Sequence, residues 1–79
     1  MRMEKDLIEF IAKCIVDDPL RVSVVEVEGD RSDVLELRVA EEDLGKVLGK
    51  QGRIAKAMRT VLLSAGTRTG RHMSLEIID

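Results

Sequence analysis

Between residues 4 and 16, apolar side chains return at Leu7, Ile11, Cys14 and Ile15, with Ile8 and Phe10 widening the stripe. That spacing places them along one side of a helix. Asp17, Asp18 and Pro19 end it, because proline disfavours helical geometry in the residue before it. Over residues 21–28 the period shortens, and Val22, Val24, Val25 and Val27 predict a strand. Adjacent Val24 and Val25 break its alternation, through either a bulge or a strand partly covered on both faces. Residues 29–33 (Gly29, Asp30, Arg31, Ser32, Asp33) carry turn chemistry. Leu35, Leu37 and Val39 then alternate with Glu36 and Arg38, completing an antiparallel hairpin.

Glu41, Glu42 and Asp43 open a short helix, where acids favour the positive end of its dipole. Leu44, Val47 and Leu48 form its inner face, and residues 49–52 interrupt it. A longer helix follows, starting at about Gly52, with Ile54, Met58, Val61, Leu62 and Ala65 at helical spacing. Gly66 is its expected stop and residues 67–70 a loop. Met73, Leu75 and Ile77, alternating with Ser74, Glu76 and Ile78, predict a last strand. The expected fold is α+β, in the order α-β-β-α-α-β. Three strands cannot close on themselves, so three helices should cover one face of the sheet in two layers. Residues 1–79 are expected to form a single domain.

Composition narrows the chemistry. One cysteine excludes an intrachain disulfide, and Cys14 is expected to pack as a small buried hydrophobe. No apolar run reaches the ~20 residues of a membrane span. The first residues are mixed in charge and lack a signal-peptide core, so a cytoplasmic protein is expected. One histidine and one cysteine make no metal-ligand set, and His72 reads as a spacer. Met3, Met58 and Met73 read as packing residues. The carboxylates before residue 44 face no histidine or nucleophile and read as solvating charge. The expectation is therefore no enzyme, no cofactor and no metal.

The formal charge of −2 hides an asymmetry. Residues 1–43 hold 6 Lys/Arg against 13 Asp/Glu, a balance of −7; residues 44–79 hold 7 against 2, a balance of +5. Lys46, Lys50, Arg53, Lys56 and Arg59 follow one another with no acid between them, so a polyanion should be drawn to this stretch. Inside it Gly49 and Gly52 bracket Lys50 and Gln51 at the break between two helices. Glycine permits a tight turn and close approach. The unpaired N–H groups opening the second helix, aided by its dipole, suit a phosphate. Lys50 adds charge, Gln51 a donor, and Arg53 and Lys56 extend the positive face. The P-loop does not fit: Gly45 precedes Gly49 by one residue too few, and Gln51 replaces the magnesium-binding Ser or Thr. Nucleotide hydrolysis is excluded.

From Val47 to Lys56, and on through Met58, Arg59 and Thr60, the chain resembles the KH family of RNA-binding domains. That family's signature is a helix–GxxG–helix turn preceded by aliphatics. The element order is similar to type II KH domains, and closer still to small single-domain bacterial proteins of the KhpA type. The resemblance covers nearly the whole chain. It implies that Gly49, Lys50, Gln51 and Gly52 clamp the backbone of single-stranded RNA. It also implies that Leu48, Ala55 and Val39 line an apolar groove for bases. The broader KH pattern often has a bulky aliphatic at the position of Ala55, which puts base preference in doubt. A homodimer, or a heterodimer with a larger multidomain KH protein of the Jag (KhpB) type, is implied as well. So are RNA-chaperone-like regulation and a link to cell-wall homeostasis and cell length. With no Trp or Tyr, and Phe10 the lone Phe, the chain lacks the stacking platforms of aromatic RNA readers. Two other classes compete. A DNA-binding helix-turn-helix needs a recognition helix offering side chains to base edges, and the three strands and the glycine-bracketed turn argue against it. A protein-interaction adaptor would keep the fold and lose RNA.

Overall fold

The computed structural model describes residues 3–78, the side chain of Thr69 excepted. Helix α1 spans Met3–Ile15, strand β1 Ser23–Glu28, and strand β2 Ser32–Arg38. Helix α2 spans Leu44–Leu48, helix α3 Arg53–Thr69, and strand β3 His72–Ile78. The α-β-β-α-α-β order is as expected. Short 3₁₀ turns at Pro19–Arg21, Glu41–Asp43 and Lys50–Gly52 join the elements.

The sheet is mixed, in the order β1-β2-β3. β1 runs antiparallel to β2, and β3 lies parallel to β2, with Ser32 opposite His72 and Leu35 opposite Leu75. A parallel neighbour cannot be reached by a tight turn, so the chain crosses over through α2 and α3. The crossover carries the loop between the two helices. α3 then runs back toward the start of β2, because His72 pairs with Ser32. Its first turn therefore sits toward the end of β2, at Arg38.

Val24, Leu35, Leu37, Met73 and Leu75 point from the sheet onto Ile8, Ala12, Val47, Met58 and Leu62, and together they form the core. The pairing of β1 with β2 is continuous from Ser23 to Glu28, so no bulge separates Val24 from Val25. Val24 is buried, whereas Val25 and Val27 remain 48% and 49% exposed on the open face. All helix packing is on the other side.

In α1 the buried positions are Ile8 and Ala12, with Ile11 packed beside them. Apolar residues occupy so much of this helix that its periodicity fits two neighbouring stripes, and the sheet selects one. Cys14 is exposed, and so are Phe10 at 67% and Met3. The expected burial of the thiol and of Met3 is thus corrected. A similar rotation in α3 buries Ala55, Met58 and Leu62 and leaves Val61 40% exposed.

Two turn assignments also change. Asp33 belongs to β2 and is fully buried. Its oxygens accept Nη2 and Nε of Arg71 at 2.7 and 2.9 Å, and the same Nη2 reaches the carbonyl of Gly29 at 2.9 Å. The start of β3 is thereby pinned to the hairpin. Gly66 does not end α3, which continues to Gly70, in the left-handed conformation at φ 76° and ψ 12°. Gly66 is glycine for another reason: a Cβ there would lie 2.2 Å from the carbonyl oxygen of Arg71. Gly66→Ala should therefore cost about 1–3 kcal/mol of unfolding free energy, as overpacking does. Gly70→Ala meets no neighbour and should cost only about 1 kcal/mol, from its positive φ. Urea titration of the two variants checks that order.

Candidate nucleic-acid interface

Val47 anchors α2 in the core, and Leu48 ends the helix at 38% exposure. The amide of Gly49 closes the last turn on the carbonyl of Gly45 at 2.9 Å. The backbone of Gly49 then swings to φ 76° and ψ 173°, a conformation open to glycine and hardly to any other residue. Gln51 follows at φ 57° and Gly52 at φ 72°, so three of the four loop residues are left-handed. Gln51 is the one non-glycine residue with positive φ among those described. Its strain, of order 1–2 kcal/mol, is stored at the tip of the loop.

The two glycines are required for different reasons. A Cβ on Gly49 would lie 2.7 Å from Cγ1 of Ile54, which folds back over the bend. A Cβ on Gly52 would meet nothing within 4 Å, so its glycine answers to φ alone. Within the bend, the amide of Gly52 bonds the carbonyl of Gly49 at 3.1 Å, and that of Arg53 bonds Lys50. The amides of Lys50 and Gln51 take no part in these bonds, and both residues are exposed. Gly52 caps α3 without a side-chain hydrogen bond, so no side chain screens this 17-residue helix's positive end.

Lys50, Arg53, Lys56 and Arg59 are exposed and form no ion pair among the described residues. Arg53, Lys56 and Arg59 share one side of α3, which leads from the loop to a cleft of about 290 Å³. Arg59, Thr60 and Leu63 of α3 line it, facing Met73, Ser74 and Leu75 of β3. β3 has only one neighbour. The amide of His72 and the carbonyl of Ile78 turn toward the β2 side. By ladder alternation the backbone groups of Met73, Leu75 and Ile77 face the free edge.

Lys46 is placed differently. It is hydrogen-bonded to the carboxylate of Asp17 and lies 3.7 Å from Asp43. The Asp17 bond holds its ammonium above the usual lysine range, against a smaller opposing effect of desolvation. The expected groove walls change too: Ala55 and Val39 are buried in the core, and only Leu48 is open. The cleft between α3 and β3 was not among the expected features. Its only sequence signal was the basic periodicity pointing past Lys56, since the other wall comes from a strand far along the chain. No cluster of three or more metal-ligating side chains occurs among the described residues, and no helix is long and apolar enough to cross a membrane.

A glycine-bracketed bend between two helices, crossing over from β2 to a parallel β3, defines a KH domain. The family model described as "KhpA/KhpB, KH domain" matches residues 5–77. The chain is 55% identical to the RNA-binding protein KhpA of Clostridium acetobutylicum, over 94% of this chain and 99% of that one. It is 49% identical to RNA-binding protein KhpA of Aquifex aeolicus, over 95% of each. It is 47% identical to that of Borreliella burgdorferi, over 96% of this chain and 93% of the relative. No solved structure matches closely. The chain belongs to the KhpA/KhpB KH-domain family, and these relatives are named for RNA binding and not for an enzymatic activity.

Gly49→Ala should destabilise the fold by about 2–3 kcal/mol and Gly52→Ala by about 1 kcal/mol. Ile54→Ala removes the clashing atoms as well as a core contact, so its loss and that of Gly49→Ala should combine to less than their sum. A double-mutant cycle measured in urea reads the coupling.

Proposed function

We propose that this protein binds single-stranded RNA, with residues 49–52 holding the sugar-phosphate backbone. One observation carries the reading. The bend turns Lys50 and Gln51 to solvent at the uncapped positive end of α3, beside Arg53 and Lys56, which have no carboxylate partner among the described residues. Bare amides, a helix dipole and free cations at one point favour a phosphate over any neutral ligand. The bases run along α3 into the cleft at the free edge of β3. Leu48 beside the loop and Leu63 in the cleft give them apolar contact, and Arg59 a cation. The outward amides and carbonyls of Met73, Leu75 and Ile77 are suited to hydrogen-bond base edges. Phe10, the one Phe in a chain without Trp or Tyr, sits on α1 and does not line this cleft, so it offers the bases no stacking platform there.

One small clamp binds weakly, and a second would add avidity. Pairing with another copy, or with a larger KH protein of the KhpB type, fits the family membership. It also fits a cleft of about 650 Å³ between α1 and α3, lined by Leu7, Phe10, Val61 and Ala65. An RNA-chaperone-like, post-transcriptional role in the cytoplasm, linked to cell-wall homeostasis and cell length, is the physiological setting we propose on the strength of the family.

Lys50→Asp combined with Gln51→Asp should leave the circular dichroism spectrum intact and weaken single-stranded RNA binding by at least about tenfold, or ~1.4 kcal/mol. Normal affinity in the folded variant refutes the clamp. Wild-type affinity should fall with salt at a log–log slope of about −0.7 for each phosphate neutralised, so near −2 if Lys50, Arg53 and Lys56 each meet one. Duplex DNA should compete poorly; efficient competition would favour a helix-turn-helix mode.

A further inference from the structure

The acids of the first half are not all solvating charge. Asp43 is buried, and its two carboxylate oxygens accept the backbone amides of Asp17 at 3.2 Å and Asp18 at 3.0 Å. Lys46, one helical turn further on, bonds the side chain of Asp17 and approaches Asp43 at 3.7 Å. Two backbone amides and a lysine thus clasp the end of α1 to the start of α2.

The clasp matters because α2 is short. It has five residues and one buried side chain, Val47. A helix of this length cannot hold itself in water; Val47 and the partly buried Leu44 fix it to the core, and polar contacts at its start add to what sets its heading. Gly49 follows α2 directly, so whatever sets the heading of α2 also sets where the loop is presented. Asp43 and Asp17 add polar points of attachment at its start.

The same arrangement separates Lys46 from the other cations. Two carboxylates neutralise it, while Lys50, Arg53 and Lys56 have none among the described residues. To meet a phosphate, Lys46 would have to leave Asp17 and expose the buried Asp43 to the loss of a counter-charge.

We infer that Asp43 is a positioning residue for the 49–52 loop and that Lys46 is a strut of the clasp, kept by Asp17 from serving as an RNA ligand. The positioning half depends on loop geometry alone; the half concerning Lys46 rests on the RNA reading above.

Two measurements test it. Hydrogen exchange in the RNA-free protein follows the bonded amides of Gly49 and Gly52. Asp43→Asn keeps the side chain's shape but turns an NH₂ group toward one of the amides. It should speed exchange at both glycines by about threefold or more. Asp17→Ala lies at an exposed position remote in sequence from the loop, and should act in the same direction even if Asp43→Asn does not fold. Unchanged exchange at Gly49 and Gly52 in a folded variant overturns the positioning role. The salt dependence of RNA binding then compares Lys46→Met with Lys56→Met. Lys56→Met should make the log–log slope shallower by about 0.7, and Lys46→Met should leave it at the wild-type value. A loss of about 0.7 in Lys46→Met overturns the strut. Should wild type bind no RNA at any salt, the RNA reading and the strut fall together, while the exchange data still decide the positioning role.

Discussion

At Gly49 a side chain is forbidden twice, once by the backbone conformation and once by Ile54. Ile54 packs against the core from the first turn of α3, so the bend is set by the same contacts that hold the helix on the sheet. The loop is therefore not a flexible tether between two helices. It is a surface feature cast by the interior, and the left-handed Gln51 at its tip is held by that support.

The strand topology gives this bend its position. Parallel pairing of β2 with β3 forces a crossover, and the crossover is the α2–loop–α3 unit itself. α3 returns beside β3, so its basic side ends at the free edge of β3, where a cleft opens. Glycine-bracketed bend, cation row and cleft thus follow in line along a single helix, the order of parts that the proposed grip on an RNA strand calls for.

Charge is divided with similar economy. The acidic half contributes two buried carboxylates to the architecture: Asp33 ties β3 to the hairpin through Arg71, and Asp43 ties α1 to α2. Both act by giving buried or half-buried donors an acceptor, which weighs more in a small domain where each unmet donor is a large share of total stability. Among the described residues, Lys50, Arg53, Lys56 and Arg59 along the loop and α3 have no such duty. Net charge is almost uninformative about this protein; what matters is which charges are already paired.

Element order, the glycine-bracketed bend and the basic run after it were all legible in the chain, because each depends on local chemistry: period, turn residues and the spacing of charge. The type of each helix and strand followed for the same reason. Which stripe of α1 and α3 would be buried did not follow, since apolar residues cover more than one side and only the sheet chooses between Ile8 and Leu7, or between Ala55 and Ile54. Nor could sequence distinguish Gly66, excluded from bearing a side chain by Arg71, from Gly70, which turns the chain. Lys46 looked like its neighbours until Asp17, distant in sequence, was found beside it. Local conformation is written in neighbouring residues, whereas burial, pairing and free edges arise from residues that meet only when the chain has folded.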